Sequence, residues 1–196
     1  MIILPLFCVF LPVFCVLGFT AKYTQTHAPK HQHFYRWRSK TNGKEFNVGY
    51  EKYGGGANRN YIILSGFGTG AFQQRDLAYA LVTKESDCSV YLLDYVGQGR
   101  SWPVYSNEET ASLRESWGGA ANEEGVQYSA RFWVEQVCGF IDGVVGRGGE
   151  GGLTLVGNSL GGFLSVHLAG IGDLGVDELV LLNPTPKWGL NLPGYR

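Results

Sequence analysis

The sequence predicts an α/β fold, because short, wholly apolar runs that alternate with helical patterns are typical of a parallel sheet covered by helices on both faces. The apolar runs are residues 61–64, 90–93, 153–156 and 179–182. The chain has 196 residues, of which 44% are hydrophobic and 17% charged. That length and composition fit one packed domain, and they exclude a large multidomain protein and a wholly disordered chain.

The remaining elements can be assigned from turn signals and apolar spacing. An Asn-Gly pair at Asn42 and Gly43 predicts a hairpin between residues 34–39 and 45–53. Helical spacing of apolar residues predicts a helix over 128–145. The other predicted elements are a helix over 73–83, a surface excursion over 105–127, a loop over 146–152 and a helix over 160–169.

The first 44 residues differ in charge from the remainder. They contain six bases and no Asp or Glu, whereas the remainder has ten bases and all 17 acids, so the formal net charge of -1 conceals an asymmetry. Residues 1–21 are uncharged and mostly apolar, as in a secretory signal or a short membrane anchor. Residues 22–33 are basic and free of acids, as in a transit peptide. The pair resembles the two-part presequence of algae with secondary plastids; the alternative is a signal or anchor followed by a basic linker.

One motif carries a candidate nucleophile. Gly157-Asn158-Ser159-Leu160-Gly161 has the pattern G-x-S-x-G between a predicted strand and a predicted helix, where the Ser lies on a strained turn at the carboxyl end of the sheet. Gly157 and Gly161 lack a Cβ, which allows a tight turn and close packing of strand against helix. We predict that Ser159 is the nucleophile and that the backbone N–H of Leu160 binds the developing oxyanion. The alternative is a glycine-rich helix start with an incidental Ser cap.

A second glycine-rich turn follows the first apolar run. The backbone N–H of Phe67, between Gly66 and Gly68, is the candidate for the second oxyanion donor. A phosphate-binding loop is excluded because no Gly-Lys-Ser/Thr follows. Residues 94–101 place their glycines after the acid Asp94, so they are not a dinucleotide-binding fingerprint either.

The order of residues 65–70, 94–101 and 157–162 resembles the first two-thirds of an α/β-hydrolase domain. More narrowly, the chain is similar to the plastid pheophytinase branch of that superfamily. The supporting stretches are residues 132–141, 144–146 and 181–189. The resemblance implies a mostly parallel sheet with helices on both faces, lacking the last strands. It also implies hydrolysis of a carboxylic ester, in this branch the phytyl ester of a chlorophyll-type pigment, and it favours a plastid location over secretion or membrane anchoring by residues 1–21.

A hydrolase of this type needs an acid and a His after the Ser. Three of the four His precede the domain, and His167 lies eight residues after Ser159 on the same predicted helix, about 12 Å along its axis. Asp173 and Asp177 precede the last predicted strand, at the wrong end of the sheet, and Asn183 carries only an amide. We therefore expect residues 34–196 to be the N-terminal two-thirds of a truncated domain, with its acid and His encoded downstream.

Three functions remain open on these observations. They are a serine hydrolase of pigment esters, a lipase or acylesterase of the same fold, and a non-catalytic binding protein with that fold. We expect a small hydrophobic ester as substrate, which would allow association with a membrane surface, and no nucleic acid, cofactor or metal. Cys8 and Cys15 lie in the predicted presequence, which leaves Cys88 and Cys138 in the domain. Two cysteines are too few for a disulfide framework, and no spacing here matches a metal site. The sequence carries no signal for a particular oligomeric state.

Overall fold

The computed structural model describes residues 32–104, 128–147 and 151–185. The strands are β1 (Gln32–Arg38), β2 (Glu45–Gly54), β3 (Arg59–Leu64), β4 (Cys88–Leu93), β5 (Trp102–Pro103), β6 (Leu153–Asn158) and β7 (Val176–Leu182). The α-helices are α1 (Arg75–Lys84), α2 (Ala130–Phe140) and α3 (Leu160–Ala169). The predicted presequence, apart from Gln32 and His33, and the predicted excursion over 105–127 lie outside the described residues.

The strands form one mixed sheet in the order β1-β2-β4-β3-β6-β7, with β5 paired to β2. The pairs β3/β4, β3/β6 and β6/β7 are parallel, whereas β1/β2, β2/β4 and β2/β5 are antiparallel. The α/β class and the hairpin are confirmed. The short strand β5 was not predicted, because its two residues pair through contacts that are remote in sequence.

Both faces of the central strands are covered, as the apolar runs indicated. On one face, alternate residues such as Ile62 and Leu155 pack with α2 and α3, where Trp133 and Leu164 are buried. On the other face, Ile63, Leu92 and Val156 pack against Ala78 of α1. Full burial of one such large apolar side chain stabilises the fold by about 1.5–3 kcal/mol, so these faces hold the sheet and helices together.

The predicted helix over 128–145 is not one uniform α-helix. The side-chain oxygen of Ser129 caps α2 by accepting a hydrogen bond from the Phe132 N–H at 3.3 Å. After α2 the chain continues as a π-helical turn, Ile141–Val145, and ends at Gly146 with φ of 90°. None of the helices in the described residues is both long enough and apolar enough to span a membrane.

Strand β7 is the exception to this burial. It is the last strand in the sheet order, and its side chains Leu179, Val180, Leu181 and Leu182 are 37–42% exposed although they are all apolar. Consecutive side chains of a strand point to opposite faces, so both faces of β7 are partly exposed. Such an apolar edge favours association.

Candidate active site

The register of two parallel strands brings the predicted site residues together. Leu64 of β3 is the partner of Gly157 of β6, so the turns that follow these strands are neighbours at the carboxyl edge of the sheet. A Cβ placed on Gly66 would lie 3.5 Å from the Cβ of Ser159 and 3.9 Å from its Oγ. The candidate nucleophile and the candidate oxyanion turn therefore meet, although they are far apart in sequence.

Ser159 adopts a backbone conformation that is uncommon for a residue with a side chain, with φ of 52° and ψ of −114°. Strain of this kind persists only where the surroundings hold it. The Ser159 N–H donates to the Leu182 carbonyl at 3.1 Å, and the Ser159 carbonyl accepts from Phe163 at 3.2 Å and from Thr185 at 3.0 Å. The Ser159 side chain makes no capping hydrogen bond to α3, so it is not an incidental helix cap.

Two glycines of the motif are required by close approach. A Cβ on Gly157 would collide with the backbone of Gly161 and Gly162, and a Cβ on Gly161 would overlap the Leu64 carbonyl. This explains the tight β6-to-α3 turn that the motif predicted. Asn158 adds a polar tie, because its Nδ2 donates to the Leu182 carbonyl at 3.2 Å.

Gly66 and Gly68 have different roles in the turn that follows β3. Gly68 has φ of 72°, which favours glycine, whereas a Cβ on Gly66 would make only ordinary contacts. Gly66 is therefore not required by the backbone, and its missing side chain leaves space beside Ser159.

The two candidate oxyanion donors lack a hydrogen-bond partner for different reasons. Leu160 is the first residue of α3, where backbone N–H groups have no partner within the helix and the helix dipole favours negative charge. In the other turn, the Gly68 N–H donates to Gln98 Oε1 at 2.7 Å. The Phe67 N–H has no hydrogen-bond partner within the part of the chain that the structure describes.

A buried ionic cluster contacts the segment that follows β3. Asp94 is 2% exposed; its Oδ1 accepts from the Ala71 N–H at 2.6 Å and its Oδ2 accepts from the Arg100 Nε at 3.3 Å. Glu51 is 1% exposed and pairs with Arg75 at 2.7 Å and with Arg100 at 3.4 Å. Buried carboxylates need such partners, so both acids have a structural explanation. From sequence, Asp94 served only to exclude a dinucleotide site, and no local pattern indicated this cluster.

Aromatic residues complete the surroundings of the turn. The Tyr95 hydroxyl donates to the Ser65 carbonyl at 3.1 Å, and burial raises the pKa of Tyr95 well above its ordinary value, which keeps that donor protonated. The Phe67 ring is 68% exposed and lies 6.1 Å from the Trp133 ring, centroid to centroid. The side chain of Phe67 thus presents apolar surface beside the site.

The other candidates considered from sequence lie away from Ser159. Asp173 is exposed and pairs with Arg147 at 3.0 Å. The expectation that Asp177 precedes the last strand is wrong by two residues, because β7 begins at Val176. Its Oδ2 accepts from the Leu153 N–H at 2.7 Å, at the opposite end of β6 from Ser159.

The neighbours of the Ser159 hydroxyl include one that no sequence pattern indicated. Within the described ranges, the only side chain at hydrogen-bond distance from Ser159 Oγ is Thr185, whose Oγ1 is 3.0 Å away. His167 packs its ring against Phe163, with 4.6 Å between centroids. Asn183, with φ of 49°, follows β7 at the same end of the sheet as Ser159. The described residues contain no group of three or more His, Cys, Asp or Glu that could hold a metal ion.

Comparison with known proteins agrees with this architecture. The family defined by the alpha/beta hydrolase fold matches residues 62–196, so the chain belongs to the α/β-hydrolase fold family, as the resemblance implied. Among characterised relatives, the chloroplastic pheophytinase of Arabidopsis thaliana is 32% identical over 139 residues, which are 65% of this chain and 27% of that protein.

Solved structures share the fold at lower identity. A probable hydrolytic enzyme from Pseudomonas aeruginosa PAO1 is 20% identical with a TM-score of 0.58, covering 85% of this chain and 46% of its own. The haloalkane dehalogenase DpaA from Paraglaciecola agarilytica NO2 is 15% identical with a TM-score of 0.58, covering 83% and 46%. The chain thus spans less than half the length of these proteins and about a quarter of the pheophytinase.

Proposed function

We propose that this chain supplies the nucleophile and the oxyanion donors of a serine hydrolase that acts on carboxylic esters. The observation that carries the proposal is the strained Ser159 on the turn between β6 and α3, beside Gly66 and Phe67. Membership of the α/β-hydrolase fold family supports hydrolase chemistry in general.

In this mechanism Ser159 Oγ attacks the carbonyl carbon of the ester while a general base takes its proton. The carbonyl oxygen becomes an oxyanion, which the backbone N–H groups of Leu160 and Phe67 stabilise. The general base then returns the proton to the leaving alcohol, and water hydrolyses the acyl-enzyme. No imidazole lies within hydrogen-bond distance of Ser159 Oγ in the described part of the chain. In this proposal the base and its orienting acid come from residues outside the described ranges.

The substrate we propose is a hydrophobic ester of the pigment type, with a lipid ester as the second candidate. The support is the similarity to a protein named as a chloroplastic pheophytinase and the exposed ring of Phe67, which follows Gly66 on the turn next to Ser159. A substrate of this kind resides in membranes, so the protein would meet it at a membrane surface.

The test is a set of assays on the full gene product. We expect a fluorescent fluorophosphonate to label Ser159, and we expect hydrolysis of p-nitrophenyl butyrate and of pheophytin a. Ser159→Ala should abolish labelling and reduce hydrolysis by at least about 10³-fold. Ser86→Ala, at an exposed turn, is the matched control and should retain both.

The results separate the alternatives. Undiminished labelling and hydrolysis in Ser159→Ala would disprove the nucleophile. Hydrolysis of p-nitrophenyl and lipid esters without pheophytin hydrolysis would reject the pigment and leave an acylesterase. A protein that binds a hydrophobic ester but never labels would be a non-catalytic binding protein.

We also propose a plastid location through the two-part presequence, supported by the chloroplastic relative. Residues 1–33 fused to a fluorescent protein should enter the plastid in an alga with secondary plastids. Residues 1–21 alone should enter only the secretory pathway. Secretion of both fusions would reject the plastid location.

A further inference from the structure

The nucleophile has a second hydroxyl beside it. Thr185 Oγ1 lies 3.0 Å from Ser159 Oγ, and the Thr185 N–H donates to the Ser159 carbonyl, also at 3.0 Å. Thr185 is thus tied to Ser159 through both backbone and side chain. The two residues are 26 positions apart in the chain.

The segment that presents Thr185 is itself anchored around the turn. The Leu182 carbonyl accepts from the Ser159 N–H and from Asn158 Nδ2. Pro184 packs against the α3 start so closely that a Cβ on Gly162 would lie 2.7 Å from its Cβ. Thr is β-branched, so few χ1 rotamers are open to it on a fixed backbone, which limits where its hydroxyl can lie.

We propose that Thr185 is a positioning residue, which holds the Ser159 hydroxyl in the rotamer that faces the Gly66–Phe67 turn. This inference rests on the proposed function, because it concerns the orientation of the same nucleophile. The hydrogen bond transfers no proton, and a threonine hydroxyl is not a base at neutral pH, so Thr185 does not replace the general base. When Thr185 donates, the Ser159 proton stays available to that base.

The test compares two substitutions in the full gene product. Thr185→Val keeps the β-branched shape and removes the hydroxyl, whereas Thr185→Ser keeps the hydroxyl. We expect Thr185→Val to lower kcat and the labelling rate about tenfold with KM unchanged, since misorientation of a reacting group acts on the chemical step. Thr185→Ser should stay within about twofold of the wild type, and the pH profile should not move in either variant.

Two results would overturn the inference. One is labelling and kcat of Thr185→Val at the wild-type level. The other is an equal loss in Thr185→Ser and Thr185→Val, which would assign the effect to packing of the methyl group rather than to the hydroxyl.

A second measurement distinguishes failure of this inference from failure of the proposed function. Thermal unfolding midpoints of the wild type, Ser159→Ala, Thr185→Val and the double variant form a cycle that needs no activity. Non-additive shifts would support the pairing of the two hydroxyls even if the wild type never labels, in which case only the proposed function fails. Additive shifts would overturn the pairing whatever the activity.

Discussion

The side-chain oxygen of Gln98 accepts a hydrogen bond from the Gly68 N–H at 2.7 Å, joining the loop after β4 to the turn after β3. That bond occupies the Gly68 N–H. Of the Phe67 and Gly68 N–H groups, only that of Phe67 therefore stays available to a substrate oxygen. Gln98 therefore leaves the Phe67 N–H as the candidate oxyanion donor of this turn.

We predict that Gln98→Ala lowers the fluorophosphonate labelling rate about tenfold, because the Gly68 N–H would lose its partner and the turn its fixed orientation. Complete loss of one oxyanion donor costs about 10²–10³-fold, which sets the upper limit of the effect. Gln73→Ala, at an exposed position, is the control and should label at the wild-type rate. Equal rates for all three proteins would refute a role for Gln98.

We predict that Asp94→Ala destabilises the fold by about 3–5 kcal/mol, because Arg100 would lose a partner in a buried cluster and the Ala71 N–H its acceptor. Chemical denaturation measures the change. Asp76→Ala, at an exposed site in the first turn of α1, should cost less than about 1 kcal/mol. A small change in Asp94→Ala would mean that this cluster does not support the turn.

We predict that Gly161→Ala destabilises the fold by about 1–3 kcal/mol and slows labelling of Ser159, because the added Cβ overlaps the Leu64 carbonyl. The comparison is Gly172→Ala, where a Cβ would meet nothing within 4 Å. The free energy of unfolding of that variant should lie within about 1 kcal/mol of the wild-type value. The close approach of β3 and α3 would be disproved if the two variants behaved alike.

We predict that Val180→Lys reduces self-association of the 196-residue chain, because it places a charge on the exposed apolar strand β7. Light scattering across a concentration series measures the effect. Val166→Lys adds the same charge at an exposed position of α3 and should leave association unchanged. Equal association of both variants would show that the β7 edge is not the contact.

The sequence by itself determined the fold class, the family and the candidate nucleophile. Wholly apolar runs of strand length are a local pattern, and they matched the buried strands β3, β4 and β6. The motif around Ser159 is equally local, since the turn and its glycines are contiguous in the chain. Features that depend on residues adjacent in the chain could therefore be predicted from the sequence.

The tertiary structure decided what depends on register and packing. Gln98 and Thr185 touch the site only because β3, β4, β6 and β7 align at one edge of the sheet. Remote contacts also line the last turn of α2 and the π-helical turn after it: Gly139 packs against the Trp37 indole and Gly143 against the Tyr35 ring. Such contacts join residues far apart in the chain, and no local pattern of one sequence encodes which distant side chain will fill a given space.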